Sequence, residues 1–249
     1  MISEDGGAAE RTGKDTWRVQ GCTVALPVAI RDSIVAIAVF SCSRGAARAA
    51  VTDNRLTPLT VAGRGFASLM FVKYRDSDLG TYDEVGLSVA VRGPAHGAIG
   101  AYIVELPVTQ TFTLKAGRAI WGLPKWLAQG TISVQRSGVQ ARLSDGAQSV
   151  LTAVLDAGGL RIPVPITIPV VCWVVRPDGL QVGELLRGIV RVRLEGLRIR
   201  LGGARVVLGE HRMAQTARAL GMSDPPLCTV VARMTTELDA FPSLGGHPG

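Results

Sequence analysis

Short β-branched runs separated by turn residues dominate the chain. They read CTVALPVAI (22–30), SIVAIAVF (33–40), FASLMFVKY (66–74), EVGLSVAV (84–91), AIGAYIVEL (98–106) and ITIPVVCWVV (166–175), each bounded by Gly, Pro, Asp or Ser. That is the pattern of strands. Between 130 and 156 the runs TISVQ, QARLS and SVLTAVLD are divided by Ser-Gly and Asp-Gly pairs, the spacing of antiparallel hairpins rather than of βαβ units. Helices are expected at three places: residues 44 to 51 capped by Ser43, one or two turns over Ala116 to Trp121, and His211 to Leu220 ending at Gly221. The class is therefore mainly antiparallel β with a few short helices. The strands are too numerous for one flat sheet, which predicts a closed barrel or sandwich.

No repeat or low-complexity linker interrupts this pattern. We expect a disordered leader over residues 1–20, a single domain over 21–241 and a flexible tail over 242–249. The leader mixes acids and bases without an apolar core, so it is not read as a secretory signal, and the cytoplasm is the expected compartment. The longest nearly apolar run, Ile162 to Val175, has 14 residues and three prolines, against about 20 for a spanning helix; no membrane association is expected.

Candidate chemistry narrows by elimination. Cys22, Cys42, Cys172 and Cys228 are widely spaced, and His96, His211 and His247 form no HExxH or HxxxH pair, so neither a metal nor a redox site is expected. The Gly93, Gly97 and Gly100 spacing in GPAHGAIG fits neither a P-loop nor a dinucleotide fold, and there is no GxSxG elbow. The net charge is +7, and Arg191, Arg193, Arg198 and Arg200 alternate with apolar residues near the end of the chain. With three Tyr and five Phe available for stacking, this reads as a solvated or inter-subunit strand face rather than a nucleic-acid site.

One base stands out against this background. The chain has 23 Arg but only four Lys, at positions 14, 73, 115 and 125, and lysine is the base that forms Schiff bases. Lys125 sits in KAGRAIWGLPKWLAQ (115–129). Burial among Trp121, Leu123, Trp126 and Leu127 would disfavour its ammonium and raise the share of nucleophilic amine, and Pro124 would help to aim it inward. The alternative is a lysine whose methylenes lie on Trp126 and whose amine reaches water. Upstream, LGTYDEVG (79–86) places Tyr82 and Glu84 at the start of a strand. If Glu84 points inward it needs a partner, and Asp83 then faces the other side.

Together these segments resemble the acetoacetate decarboxylase family, in which a Gly-x-Tyr-x-Glu element precedes a Gly-Arg-x(4 or 5)-Pro-Lys element. Here they read Gly80-Thr81-Tyr82-Asp83-Glu84 and Gly117-Arg118-Ala119-Ile120-Trp121-Gly122-Leu123-Pro124-Lys125. Weaker similarity runs through Ile30-Arg31-Asp32 and through LGGARVVLGEHRMA (201–214), so the resemblance covers roughly residues 25 to 235. It implies a cone-like closed antiparallel barrel, a homo-oligomer and no cofactor. It assigns Lys125 as the nucleophile, Glu84 as the carboxylate governing protons, and Arg31, Tyr82 and Trp126 as substrate-binding residues, Arg31 meeting the carboxylate of a small anionic keto acid.

The implied reaction is that of a Schiff-base lyase decarboxylating a β-keto acid such as acetoacetate. An imine-forming aldolase-dehydratase acting on a 2-oxo acid, or a non-catalytic ligand-binding member of the fold, are the alternatives. Three departures bear on that choice. Trp126 stands where a second lysine commonly follows the nucleophile, Leu69 stands where a further carboxylate is expected, and Ala119 replaces the glutamate of Gly-Arg-Glu. Desolvation is then left to free the amine without a neighbouring ammonium.

Overall fold

Alternation of facing and hidden residues persists over long stretches, and this length lets single strands serve two sheets. The computed structural model describes residues 9–94, 97–177 and 183–244. Its elements in order are β1 (Glu10–Arg11), β2 (Thr16–Val19), β3 (Cys22–Ala25), β4 (Val28–Ser43), α1 (Arg44–Ala50), β5 (Thr57–Pro58), β6 (Thr60–Val61), β7 (Arg64–Ser77), β8 (Tyr82–Arg92) and β9 (Ile99–Val108). There follow α2 (Thr111–Trp121), β10 (Lys125–Leu127), β11 (Gln129–Gln135), β12 (Gly138–Asp145), β13 (Gln148–Asp156), β14 (Leu160–Arg161), β15 (Ile166–Val175), β16 (Leu185–Leu201), β17 (Ala204–Leu208), α3 (Arg212–Ala219) and β18 (Cys228–Leu238).

Seven of these strands close a barrel in the order β9-β15-β16-β18-β4-β7-β8, with β8 pairing back onto β9. The expected barrel of mainly antiparallel strands is thus observed. One junction departs from antiparallel pairing, since β15 runs parallel to β9 through Cys172↔Ala101 and Trp173↔Tyr102. Closure removes the free edges that long apolar strands would otherwise expose.

A second sheet, β11-β12-β13-β17, packs with α3 against the outer face of the barrel. Alternation therefore yields two cores. Ala36, Ala38, Phe40, Leu69, Phe71 and Leu87 point outward into the layer under the second sheet, while Val35, Val72, Tyr74 and Tyr82 belong to the inner cluster. Leu69, Phe71 and Leu87 are fully buried, each contributing about 1.5–3 kcal/mol of transfer free energy.

The three helices lie where expected, with shifted ends. Ser43 Oγ accepts from Ala46 N at 3.1 Å to start α1, and His211 Nδ1 accepts from Met213 N at 3.2 Å to start α3. The middle helix begins five residues earlier than expected, at Thr111, because Gln110 caps it by accepting from Thr113 N.

The expected leader is corrected more substantially. Residues 10–19 carry two strands that join β3 in a small antiparallel sheet, and Val19 is wholly buried in the inner cluster. Residues 1–8 lie outside the described residues, as do His96, His247 and the tail from residue 245. No helix among the described residues is long and apolar enough to cross a membrane.

Candidate active site

The chain delivers Lys125 through a helix stop and an abrupt return. Helix α2 ends at Gly122 with φ 63°, a left-handed conformation that favours glycine. Gly122 N donates to Arg118 O and Leu123 N to Gly117 O, both at 3.1 Å, closing the helix with its own carbonyls. After Pro124, the short strand β10 runs parallel to β9 with Lys125 opposite Leu106. This turn folds the lysine back against its own helix, where a Cβ on Gly117 would sit 2.5 Å from Lys125 Cδ. The glycine of the Gly-Arg element thus leaves room for the lysine stem.

Lys125 is 3% exposed. Its Nζ lies 2.8 Å from Glu84 Oε2 and donates to Thr113 Oγ1 at 3.0 Å. Glu84, itself buried, accepts at Oε1 from the Tyr74 hydroxyl at 3.0 Å. Tyr74 and Tyr82 stack with ring centroids 4.3 Å apart, and Lys125 Nζ stands 5.4 Å from the Tyr82 ring centroid. Burial, then the nearby charge of Glu84, holds both phenols well above their ordinary range, so they stay neutral. A lone ammonium or carboxylate in such surroundings would be costly; here each serves as the other's counterion.

Around this pair the barrel encloses a cavity of about 230 Å³. Tyr74, Tyr82, Glu84 and Lys125 line one side, with Trp121 and Leu123 beside them. Hydrocarbon supplies most of the remaining wall, including Val35, Ile37, Met70, Val170, Val192 and Val230. The arrangement offers an amine, a carboxylate within proton-transfer distance of it, and space for a ligand, which together suit addition of the amine to a carbonyl.

Lys125, Glu84 and Tyr82 are thus brought together, whereas two other expected site residues are not. Arg31 follows the cavity-lining Ile30 on β4 and therefore points outward, where it is half exposed and pairs with Asp76 at 2.8 Å and Asp78 at 2.6 Å. Those hydrogen bonds hold its guanidinium well above its ordinary range. The register shifts at Asp32 confirm a bulge there, and Asp32 is likewise engaged outside, by Arg75 and Arg233.

Trp126 is adjacent to Lys125 in a strand and so faces the opposite way. Its Nε1 donates to Glu105 Oε2 at 2.7 Å, its ring lies 4.9 Å from that of His211, and Arg212 completes the cluster through Glu105. Burial raises the Glu105 carboxyl, opposed by Arg212, Trp126 and His211. Leu69 also faces the outer core, so the β7 positions turned toward the cavity are Met70 and Tyr74. Leu127, which was expected to bury Lys125, is 46% exposed.

Sequence reasoning missed Thr113 and Tyr74, the two hydroxyl groups that hold the charged pair. Tyr74 ends the run FASLMFVKY, where its parity with Met70 was available as a signal. Thr113 carried none, because it reaches Lys125 only through the fold-back of α2.

The profile of the acetoacetate decarboxylase (ADC) family matches residues 23–236. The chain belongs to this family. Among solved structures, acetoacetate decarboxylase from Legionella pneumophila subsp. pneumophila str. Philadelphia 1 is similar at 16% identity, with a TM-score of 0.74 over 99% of this chain and 95% of that one. The acetoacetate decarboxylase-like enzyme from Sphingomonas wittichii RW1 aligns at 16% identity and TM-score 0.61, over 90% and 95% of the two chains. The enduracididine biosynthesis enzyme MppR, complexed with the condensation product of pyruvate and imidazole 4-carboxaldehyde, aligns at 16% identity and TM-score 0.66, over 88% and 89%. No curated protein sequence matches. At these identities the structural likeness shows the family's fold, and the substrate has to be argued from the cavity itself.

Proposed function

We propose that this member of the acetoacetate decarboxylase family is a Schiff-base-forming lyase that decarboxylates a β-keto acid through an imine on Lys125. The observation that carries the reading is a lysine only 3% exposed in an apolar barrel, 2.8 Å from one buried carboxylate. In the proposed cycle Lys125 passes a proton to Glu84 and its amine adds to the substrate carbonyl. Glu84 gives that proton to the departing hydroxyl, and loss of water leaves a protonated imine. That cation draws the electron pair of the bond to the carboxylate carbon as carbon dioxide departs, giving an enamine. A proton taken up from water, relayed by Glu84, adds to the enamine carbon, and water then hydrolyses the protonated imine to release the ketone and restore the Lys125 ammonium. Imine chemistry of this kind calls for neither a metal nor an organic cofactor.

A second reading is favoured by the MppR complexes with pyruvate and its condensation product: the same imine serving aldol and dehydration chemistry on a 2-oxo acid. Borohydride reduction in the presence of acetoacetate or a set of 2-oxo acids, followed by peptide mass spectrometry, tests both. An adduct on Lys125 is expected, absent in Lys125→Arg and retained in Lys115→Arg; equal loss in both variants would refute the assignment. Carbon dioxide release is expected under the first reading only. We also propose a cytoplasmic homo-oligomer, which light scattering on the purified chain would test.

A further inference from the structure

Most polar groups that face the cavity are already committed. The Tyr74 hydroxyl is given to Glu84, Glu84 to Lys125 and Lys125 to Thr113, while Thr236 Oγ1 donates to Arg191 O at 2.8 Å. Among the described residues Lys125 is the sole cation lining this space, and Arg31 is held outside by two aspartates. Among the described residues no arginine or histidine lines this space, and beyond the lysine a substrate carboxylate meets only the neutral Tyr82 hydroxyl and the weakly donating Cys172 thiol. The wall opposite β8 and β9 is built from β16 and β18, the strands halfway round the barrel. Their inward residues are Val190, Val192, Leu194, Val230, Met234 and Leu238, with Thr236 the polar exception. A small anionic keto acid would leave that wall without a contact.

From these observations we infer that the substrate carries a hydrocarbon tail: the structure assigns the cavity to a medium-chain or aryl ketone, or to a 3-oxo acid of the same overall size, with the tail lying against β16 and β18. The covalent part of this inference rests on the imine-forming reading of Lys125; the apolar part does not. Size sets the tail. An apolar cavity of about 150 Å³ accommodates benzene, so 230 Å³ corresponds to roughly nine non-hydrogen atoms on the same scale. Heptan-2-one, with eight, fits that limit, whereas acetone, the ketone left by acetoacetate, fills less than half of it.

The test compares heptan-2-one, acetone and pyruvate as partners for Lys125 in borohydride trapping at equal concentrations. Each buried methylene is worth about fourfold in affinity, so four additional methylenes give up to about 200-fold. We expect at least a tenfold preference for heptan-2-one over acetone, with pyruvate trapped least. Val230 is half buried on the far wall, and Val230→Phe is expected to collapse that preference toward unity while acetone trapping persists. Equal or better trapping of pyruvate or acetone by the unaltered protein would overturn the inference. If no carbonyl compound is trapped at all, the imine reading fails, and heptan-2-ol, which has the same skeleton and no carbonyl, decides the apolar part. Saturation-transfer NMR should then detect heptan-2-ol in the unaltered protein and lose it in Val230→Phe; absence of binding to the unaltered protein would overturn this inference too.

Discussion

Replacing Gly117 by alanine separates the positioning of Lys125 from the stability of the fold. A Cβ at this position would stand 2.5 Å from Lys125 Cδ, 2.7 Å from Cε and 3.2 Å from Nζ. Carbon atoms pack at about 3.5–4.0 Å, so the lysine stem must retreat by about 1 Å at two methylenes. Its Nζ is held at 2.8 Å from Glu84 and 3.0 Å from Thr113, and a shift of that size carries it beyond hydrogen-bonding distance of at least one of them. Misplacing a reacting group by about 1 Å costs up to about 100-fold in rate. Helix propensity works in the other direction, favouring alanine over glycine by about 1 kcal/mol, and this offsets part of the repacking cost. Gly117→Ala is therefore expected to unfold in urea within about 1.5 kcal/mol of the unaltered protein while its single-turnover imine-trapping rate falls between about tenfold and 100-fold. Trapping at the original rate by folded protein would refute the requirement for this lysine position. A stability loss above about 3 kcal/mol would show that the helix, not the lysine, yields to the added methyl.

Other perturbations probe the remaining parts of the site. Glu84→Gln removes the counterion of a buried ammonium while keeping the shape; we expect a folded protein, destabilised by roughly 3 kcal/mol in urea, with turnover reduced at least about tenfold, and full turnover would make Glu84 structural only. Arg31→Ala breaks two exposed ion pairs and should change stability by less than about 1 kcal/mol without altering imine trapping; a large loss of trapping would return Arg31 to the site. The hydrogen bond from Arg75 chiefly, joined by that from Arg233, holds the Asp32 carboxyl below its ordinary range. Its stabilisation is complete above the unfolded value of about 3.9 and is lost as pH falls through the lower folded value. The stability gap between the unaltered protein and Asp32→Asn should therefore be widest at about pH 7 and narrow toward about pH 2.5, measured by urea unfolding; a gap that does not change with pH would refute this account.

Much of this architecture was legible in local pattern. β-branched runs between turn residues marked the strands, and the number of runs called for closure. Charge placed inside apolar sequence singled out Lys125 and Glu84, because a buried ion must find a partner wherever the fold puts it. The alternation that set Asp83 against Glu84 applies equally to Trp126 beside Lys125 and to Arg31 beside Ile30. Applied to those two pairs, it places Trp126 and Arg31 away from the cavity, as the structure does.

What sequence by itself determined is thus the type of element and the two faces of each strand, both of which follow from steric preferences within a few residues. Tertiary structure alone decided which face became cavity and which became core under the second sheet, for instance Met70 inward and Leu69 outward. It also decided that Thr113 and Tyr74 secure the charged pair, and that strands as distant in sequence as β4 and β18 close around it. The reason is physical: alternation is a property of neighbouring residues, whereas an enclosed space exists only once the last of seven strands has paired with the first.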